Sequence, residues 1–189
     1  MNSLVRLHDR IFAGIEAGTA PLLPLMARFV FAATLLVYFW NAGMAKLGDG
    51  LFGFLTVTSG GFGQIFPKQA EAVFWDVTQM TAFQKLVVLA GTWAEFILPL
   101  LIVIGLVTRL AALGMIGFVV VQSLTDLYGH GGIAHAETLG AWFDGVPDAA
   151  ILDQRAFWVL LLTILVVKGA GALSVDGLLA RRFADPVYA

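Results

Sequence analysis

The chain of 189 residues has no cysteine, which excludes disulfides, Cys-ligated zinc or iron–sulfur clusters, and thiol redox chemistry. Histidine is nearly as scarce. His8, His130 and His135 are the only three, and none lies within a long apolar run, so a facing pair for a buried bis-histidine haem is missing. Charged residues make up 13% of the chain, 11 basic against 13 acidic for a formal net charge of −2. Phosphate binding needs clustered positive charge, so nucleic acid is not an expected partner. No Walker-type phosphate loop occurs, and Gly169-x-Gly171 opens no βαβ unit, which leaves nucleotide binding without support. What is abundant is apolar: 59% of residues are hydrophobic and the mean hydropathy is +0.88. A soluble domain does not hide that much in one core, so the composition is that of a membrane protein.

A bilayer core about 30 Å thick is crossed by roughly 20 mainly apolar residues in a helix. Four such runs are present, about Leu22–Ala42, Ala82–Val107, Leu110–Tyr128 and Ala156–Leu173. They are apolar all round rather than alternating, which favours helices over barrel strands. The expected fold is therefore an all-α, integral-membrane four-helix bundle, with residues 1–189 forming a single domain. Leu4, Leu7, Ile11 and Ile15 recur at helical spacing, with Arg6, Asp9, Arg10 and Glu16 elsewhere around the wheel, and predict an interfacial helix over about residues 3–17. Thr19, Pro21 and Pro24 then let the chain turn into the membrane. A signal peptide is the rival reading, but the first apolar run starts too late and is too long for an h-region, so it is expected to be a mature span.

Thr81-x-x-Gln84 fits a capping box at the start of the second run. Thr108 and Arg109 leave almost no loop before the third, which forces an antiparallel hairpin. Residues 47–80 carry Phe52, Phe54, Phe62, Phe66, Phe74 and Trp75 among glycines and predict short interfacial helices. Residues 129–153 are acidic and glycine-rich and predict a surface loop. Arg6, Arg10, Arg109, Arg181 and Arg182 fall on the side of the termini, against Lys46, Lys68, Lys85 and Arg155 in the two long connections. This bias places both termini in the cytoplasm.

An ionised side chain near the bilayer centre costs at least ~2.5–3.5 kcal/mol, so each needs a partner or a purpose. Glu95 lies near the middle of the second run, four residues before Pro99, whose missing N–H frees a carbonyl at the same depth. Arg28 lies about 9 Å in from the cytoplasmic start of the first run, and Lys168 at a similar depth in the fourth, so either can pair with Glu95. Two readings stand side by side. Glu95, Arg28 and Lys168 form a structural network fixing helix order, with the cations free to snorkel. Alternatively, Glu95 sits in a polar pocket with Trp93, Tyr38 and Asn41 nearby, binding a lipophilic carbonyl compound or relaying a proton.

Asp126-x-x-x-His130 shares one face if the third helix continues, and with His135 it can close over a cation. A solvated polar loop is the commoner outcome for such a segment. Gly105, Gly114, Gly117, Gly169 and Gly171 suit close helix packing. Ser174 is placed to cap a terminal amphipathic helix, with Asp176 in its first turn and Arg181 and Arg182 near its end.

Three segments also form an ordered set. Gly43-Met-Ala-Lys46-Leu47, with Arg28 upstream and Phe39 between, closes the first run. Glu95 followed by Gly105-Leu-Val-Thr108-Arg109 marks the second. Gly169-Ala-Gly171-Ala-Leu-Ser174-Val-Asp176 follows the fourth. In order and spacing, over about Arg28 to Asp176, the set resembles the DoxX/DoxD-like family of small four-helix membrane proteins. Members often carry proline and arginine within the last motif, where this chain has Ala170 and Ala172, so an anion contact there falls to Lys168 or to nothing. The resemblance implies a bacterial cytoplasmic (inner) membrane location and a link to quinone-coupled oxidoreductase or stress-response systems. It implies quinone as ligand, other membrane or extracytoplasmic proteins as partners beside the lipid bilayer, and neither a covalent cofactor nor a metal. With no redox group of its own, such a subunit works only with a partner's cofactor or a quinone. A non-catalytic assembly or accessory protein is the competing expectation. A small-molecule or proton-coupled transporter is the third, disfavoured by the lack of broken repeat pairs.

Overall fold

A computed structural model of the chain describes residues 2–183. Among the described residues there is no strand, and four helices are long and apolar enough to cross a membrane. The first helix, α1 (Asn2–Thr19), precedes them. The spans are α2 (Leu23–Met44), α5 (Ala82–Ile104), α6 (Thr108–Gly129) and α7 (Ala150–Lys168). Two short helices, α3 (Ser59–Ile65) and α4 (Pro67–Ala72), fill the connection from α2 to α5, and α8 (Val175–Phe183) follows the last span. The chain is a multi-pass, all-α membrane protein.

Local chemistry sets these boundaries. At Thr81 the capping box is complete: the Gln84 N–H donates to Thr81 Oγ1 at 3.2 Å, and the Thr81 N–H donates to Gln84 Oε1 at 2.9 Å. α5 ends at Ile104, three residues earlier than expected, because Gly105 turns left-handed (φ 72°) and donates its N–H to the Leu101 and Ile102 carbonyls. Three residues then connect it to α6, giving the expected tight hairpin. α7 starts at Ala150 rather than Ala156. Asp153, Gln154 and Arg155 look like loop in the sequence, but Arg155 is drawn inward by partners on α6, and Ala150–Arg155 winds as a π-helical segment. Gly169, with φ 76°, ends the same span at Lys168.

The spans close around Phe31 and Phe39 of α2, Ile102 of α5, Met115 and Val119 of α6, and Leu162 and Leu165 of α7, all essentially inaccessible. Lipid chains are as apolar as these side chains, so the core is held by close packing rather than by escape from water. Gly43 shows how close. A Cβ there would sit 2.6 Å from the Phe96 ring, so α2 and α5 could not approach as they do. A smaller cluster, Phe62, Ala70, Met80 and Val88, roofs the outer end beneath α3 and α4. Short helices are the form expected for residues 47–80. The apolar side chains of α1, Leu4, Leu7, Ile11, Phe12 and Ile15, are at least half exposed.

Candidate functional site

Lys46 lies just past the end of α2, and its four-carbon stem folds back along the helix, as long cationic side chains do in apolar surroundings. Its Nζ donates to the Ala42 carbonyl and to both oxygens of Glu95, each at 2.9 Å. Both side chains are about 5% exposed. This corrects the expectation that Glu95 pairs with Arg28 or Lys168, and it moves Lys46 from a loop charge to a buried one. Three N–H donors on an ammonium match three acceptors here, which makes a buried pair tolerable.

Arg28 is committed elsewhere. Its Nε donates to the Ile102 carbonyl at 3.1 Å and Nη2 to that of Val103 at 2.6 Å. Nη1 reaches the carbonyls of Ala170 at 3.1 Å and Leu173 at 2.6 Å. The last carbonyls of a helix have no partner within it, and the planar guanidinium fork satisfies those of α5 together with the link between α7 and α8. Lys168 is exposed at the end of α7.

Two of the three motifs, Gly105–Arg109 and Gly169–Asp176, meet at this same end. The Ser174 hydroxyl accepts from the Gly177 N–H at 2.9 Å, the expected N-cap of α8. Asp176 goes further than expected: its carboxylate accepts from the Val107 N–H at 2.7 Å and the Thr108 N–H at 3.0 Å, capping α6 across the bundle. Partial burial pushes this carboxyl up. The N–H groups of Thr108 and Val107 and the Arg28 charge outweigh that and hold it below the ordinary carboxylate value. Gly105 sits between them, where a Cβ would meet Ser174 at 2.5 Å and the Arg28 guanidinium at 2.9 Å. Arg109 is exposed beside Gly169. Arg28, Ser174 and Asp176 tie helix ends together here, while the buried Thr108 Oγ1 has no hydrogen-bond partner.

The other polar region opens into space. A cavity of about 550 Å³ lies among α2, α3, α5 and α6, with Glu95 and Lys46 on its wall. Ala42, Gly91, Ala94 and Gly117 give it flat, small-residue faces, and Leu98, Phe118 and Val121 give it apolar bulk. Exposed Ala90, Gly114 and Gly117 border it, so it opens sideways between spans. Gly114 does pack against Leu98, as expected of a small residue. Gly117 does not pack: a Cβ there meets nothing within 4 Å. Tyr38 lines the cavity, accepting from Gln122 Nε2 at 2.9 Å, while the Gln122 Oε1 atom is buried with no partner. Trp93 and Asn41 are not among the lining residues. Trp93 donates to the Phe54 carbonyl at 3.0 Å, and Asn41 is exposed.

At the outer end, Asp126 pairs with Arg155, whose Nη1 also donates to Ser123 Oγ at 2.9 Å and whose guanidinium lies 5.9 Å from the Trp158 ring centre. His130 contacts the Gln64 carbonyl at 3.1 Å, and His135 lies 3.7 Å from Glu137. Asp126, His130 and His135 are thus engaged separately. Among the described residues no three His, Cys, Asp or Glu side chains are grouped to hold a metal ion.

No family model matches this chain. Nor does any curated protein or solved structure. The likeness to the DoxX/DoxD-like family therefore rests on the motif residues themselves.

Lys46, Gln122 and Arg155 are the residues whose roles sequence reasoning missed. A signal existed for each: a lysine two residues past a span, a glutamine about two turns before a span's end, and an arginine just outside an apolar run.

Proposed function

We propose that the chain is a bacterial cytoplasmic-membrane protein that holds a lipophilic quinone beside the Lys46–Glu95 pair and serves a membrane oxidoreductase or stress-response system as a non-autonomous subunit. The observation that carries this is the laterally open cavity, whose wall bears an ion pair that is costly in lipid. The volume suits a substituted ring with the start of an isoprenoid tail, and the small-residue faces suit a flat ring. The membrane location is consistent with charge distribution. Arg6, Arg10, Arg109, Lys168, Arg181 and Arg182 lie at the end of the bundle with the termini. The opposite end carries four basic residues, Lys46, Lys68, Lys85 and Arg155, among many carboxylates. Six basic residues against four support cytoplasmic termini under the positive-inside rule.

An accessory, non-catalytic role is favoured by a separate observation, the large exposed side chains of the outer layer, Leu51, Phe52, Phe74 and Phe143. Purification in mild detergent, followed by mass spectrometry of both bound small molecules and bound proteins, separates the two. Stoichiometric quinone supports the proposed function. A stable protein partner with no quinone favours the accessory role.

A further inference from the structure

Glu95 and Gln122 leave acceptors uncommitted in the cavity wall. Lys46 has three N–H donors, and Ala42 and the two Glu95 oxygens use all of them. Each Glu95 oxygen accepts one bond from Lys46, and a carboxylate has about four acceptor sites, so acceptor capacity is left over. Gln122 spends one of its two amide N–H donors on Tyr38, and its Oε1 is buried with no partner. A buried acceptor left unsatisfied is costly, and a ligand that donates to it removes that cost. Lys46 already neutralises Glu95, so a cationic ligand would meet a like charge, and the complementary head group is neutral.

We propose that the cavity selects a neutral, lipid-soluble ring bearing hydroxyl donors, so that it binds the hydroquinone form of its ligand in preference to the quinone. This rests on the ligand-binding role given to the same cavity under the proposed function. An oxidised quinone presents only carbonyl acceptors: one can take the Tyr38 O–H, but a carbonyl set against the leftover acceptors of Glu95 and Gln122 has no proton to share with them. A hydroquinone presents two O–H donors on the same ring, with the Tyr38 hydroxyl able to complement either oxygen.

The test is equilibrium binding to the full chain in nanodiscs under anaerobic conditions, using decyl-hydroquinone, the matching decyl-benzoquinone and the dimethyl ether of the hydroquinone. Hydroquinone is expected to bind at least about tenfold more tightly than either donor-free ring, given the strength of hydrogen bonds to charged acceptors. Gln122→Leu should narrow that gap severalfold. Equal affinity for all three rings, or tighter binding of the oxidised form, overturns the preference but leaves ligand binding intact. Failure of every ring to bind overturns the site itself and the preference with it.

Discussion

Two ionic side chains carry most of the energetic risk at the residue scale. Removing one partner of a buried pair strands the other, which costs about 3–5 kcal/mol, whereas replacing both with apolar groups of similar size is often neutral. Lys46→Met alone should therefore cost about that much stability, and Lys46→Met with Glu95→Leu should recover most of it. Thermal unfolding of the wild type and both variants in detergent checks this, and a double variant no better than the single one would show that the pair is not the unit proposed. Arg28→Lys should also be costly, by at least about 1.5–3 kcal/mol, because an ammonium cannot span four carbonyls set for a planar fork. The buried charges Glu95 and Arg28 were legible in the sequence, since an apolar run makes any charge conspicuous. Their partners were not. Depth counted along a helix ignores how far a lysine stem reaches back, and it cannot see that Arg28 spends its donors on backbone.

Helix ends, by contrast, were mostly legible at the element scale where the signal is local. The Thr81–Gln84 box and the Ser174 cap lie within three residues of what they cap. The cap on α6 does not: Asp176 reaches Thr108 across a sequence separation of 68. It also supports Val107, a β-branched residue held at φ 43°, a conformation disfavoured for its type. Asp176→Asn should lower stability by about 1 kcal/mol at neutral pH, as loss of a helix cap does. The pH dependence has a definite sign. Because the folded carboxyl titrates below its ordinary value, its stabilisation is complete above about pH 4, the unfolded Asp value, and is lost as pH falls through the depressed folded pKa. The stability gap between wild type and Asp176→Asn, followed from pH 7 downward, should shrink only in that acid range. A gap that instead vanished between pH 7 and 5 would be inconsistent with this cap.

For the whole molecule, the number and order of spans followed from composition, because twenty apolar residues have few other uses. The cavity was not legible, since it depends on how three helices and a short outer helix lean against one another, and Gly117 gives no hint in sequence that it faces space rather than a neighbour. That glycine now supplies a clean lever. Gly117→Leu should leave the bundle folded, with the loss of a helical glycine worth up to about 1 kcal/mol in its favour, while its side chain crowds the cavity wall. The absence of cysteine makes orientation equally accessible. A single cysteine introduced as Asp144→Cys should react with a membrane-impermeant maleimide in intact cells, and one introduced as Gly14→Cys should react only after lysis.

The cavity's role is tested most directly by photolabelling the full chain in nanodiscs with a diazirine-bearing benzoquinone reduced in place, then mapping the labelled peptides. Label concentrated on residues 90–98 and 114–122, displaced by unlabelled hydroquinone and lost in Gly117→Leu, is the predicted result. Label spread over the lipid-facing side chains of all four spans, with no displacement and no effect of Gly117→Leu, would contradict it.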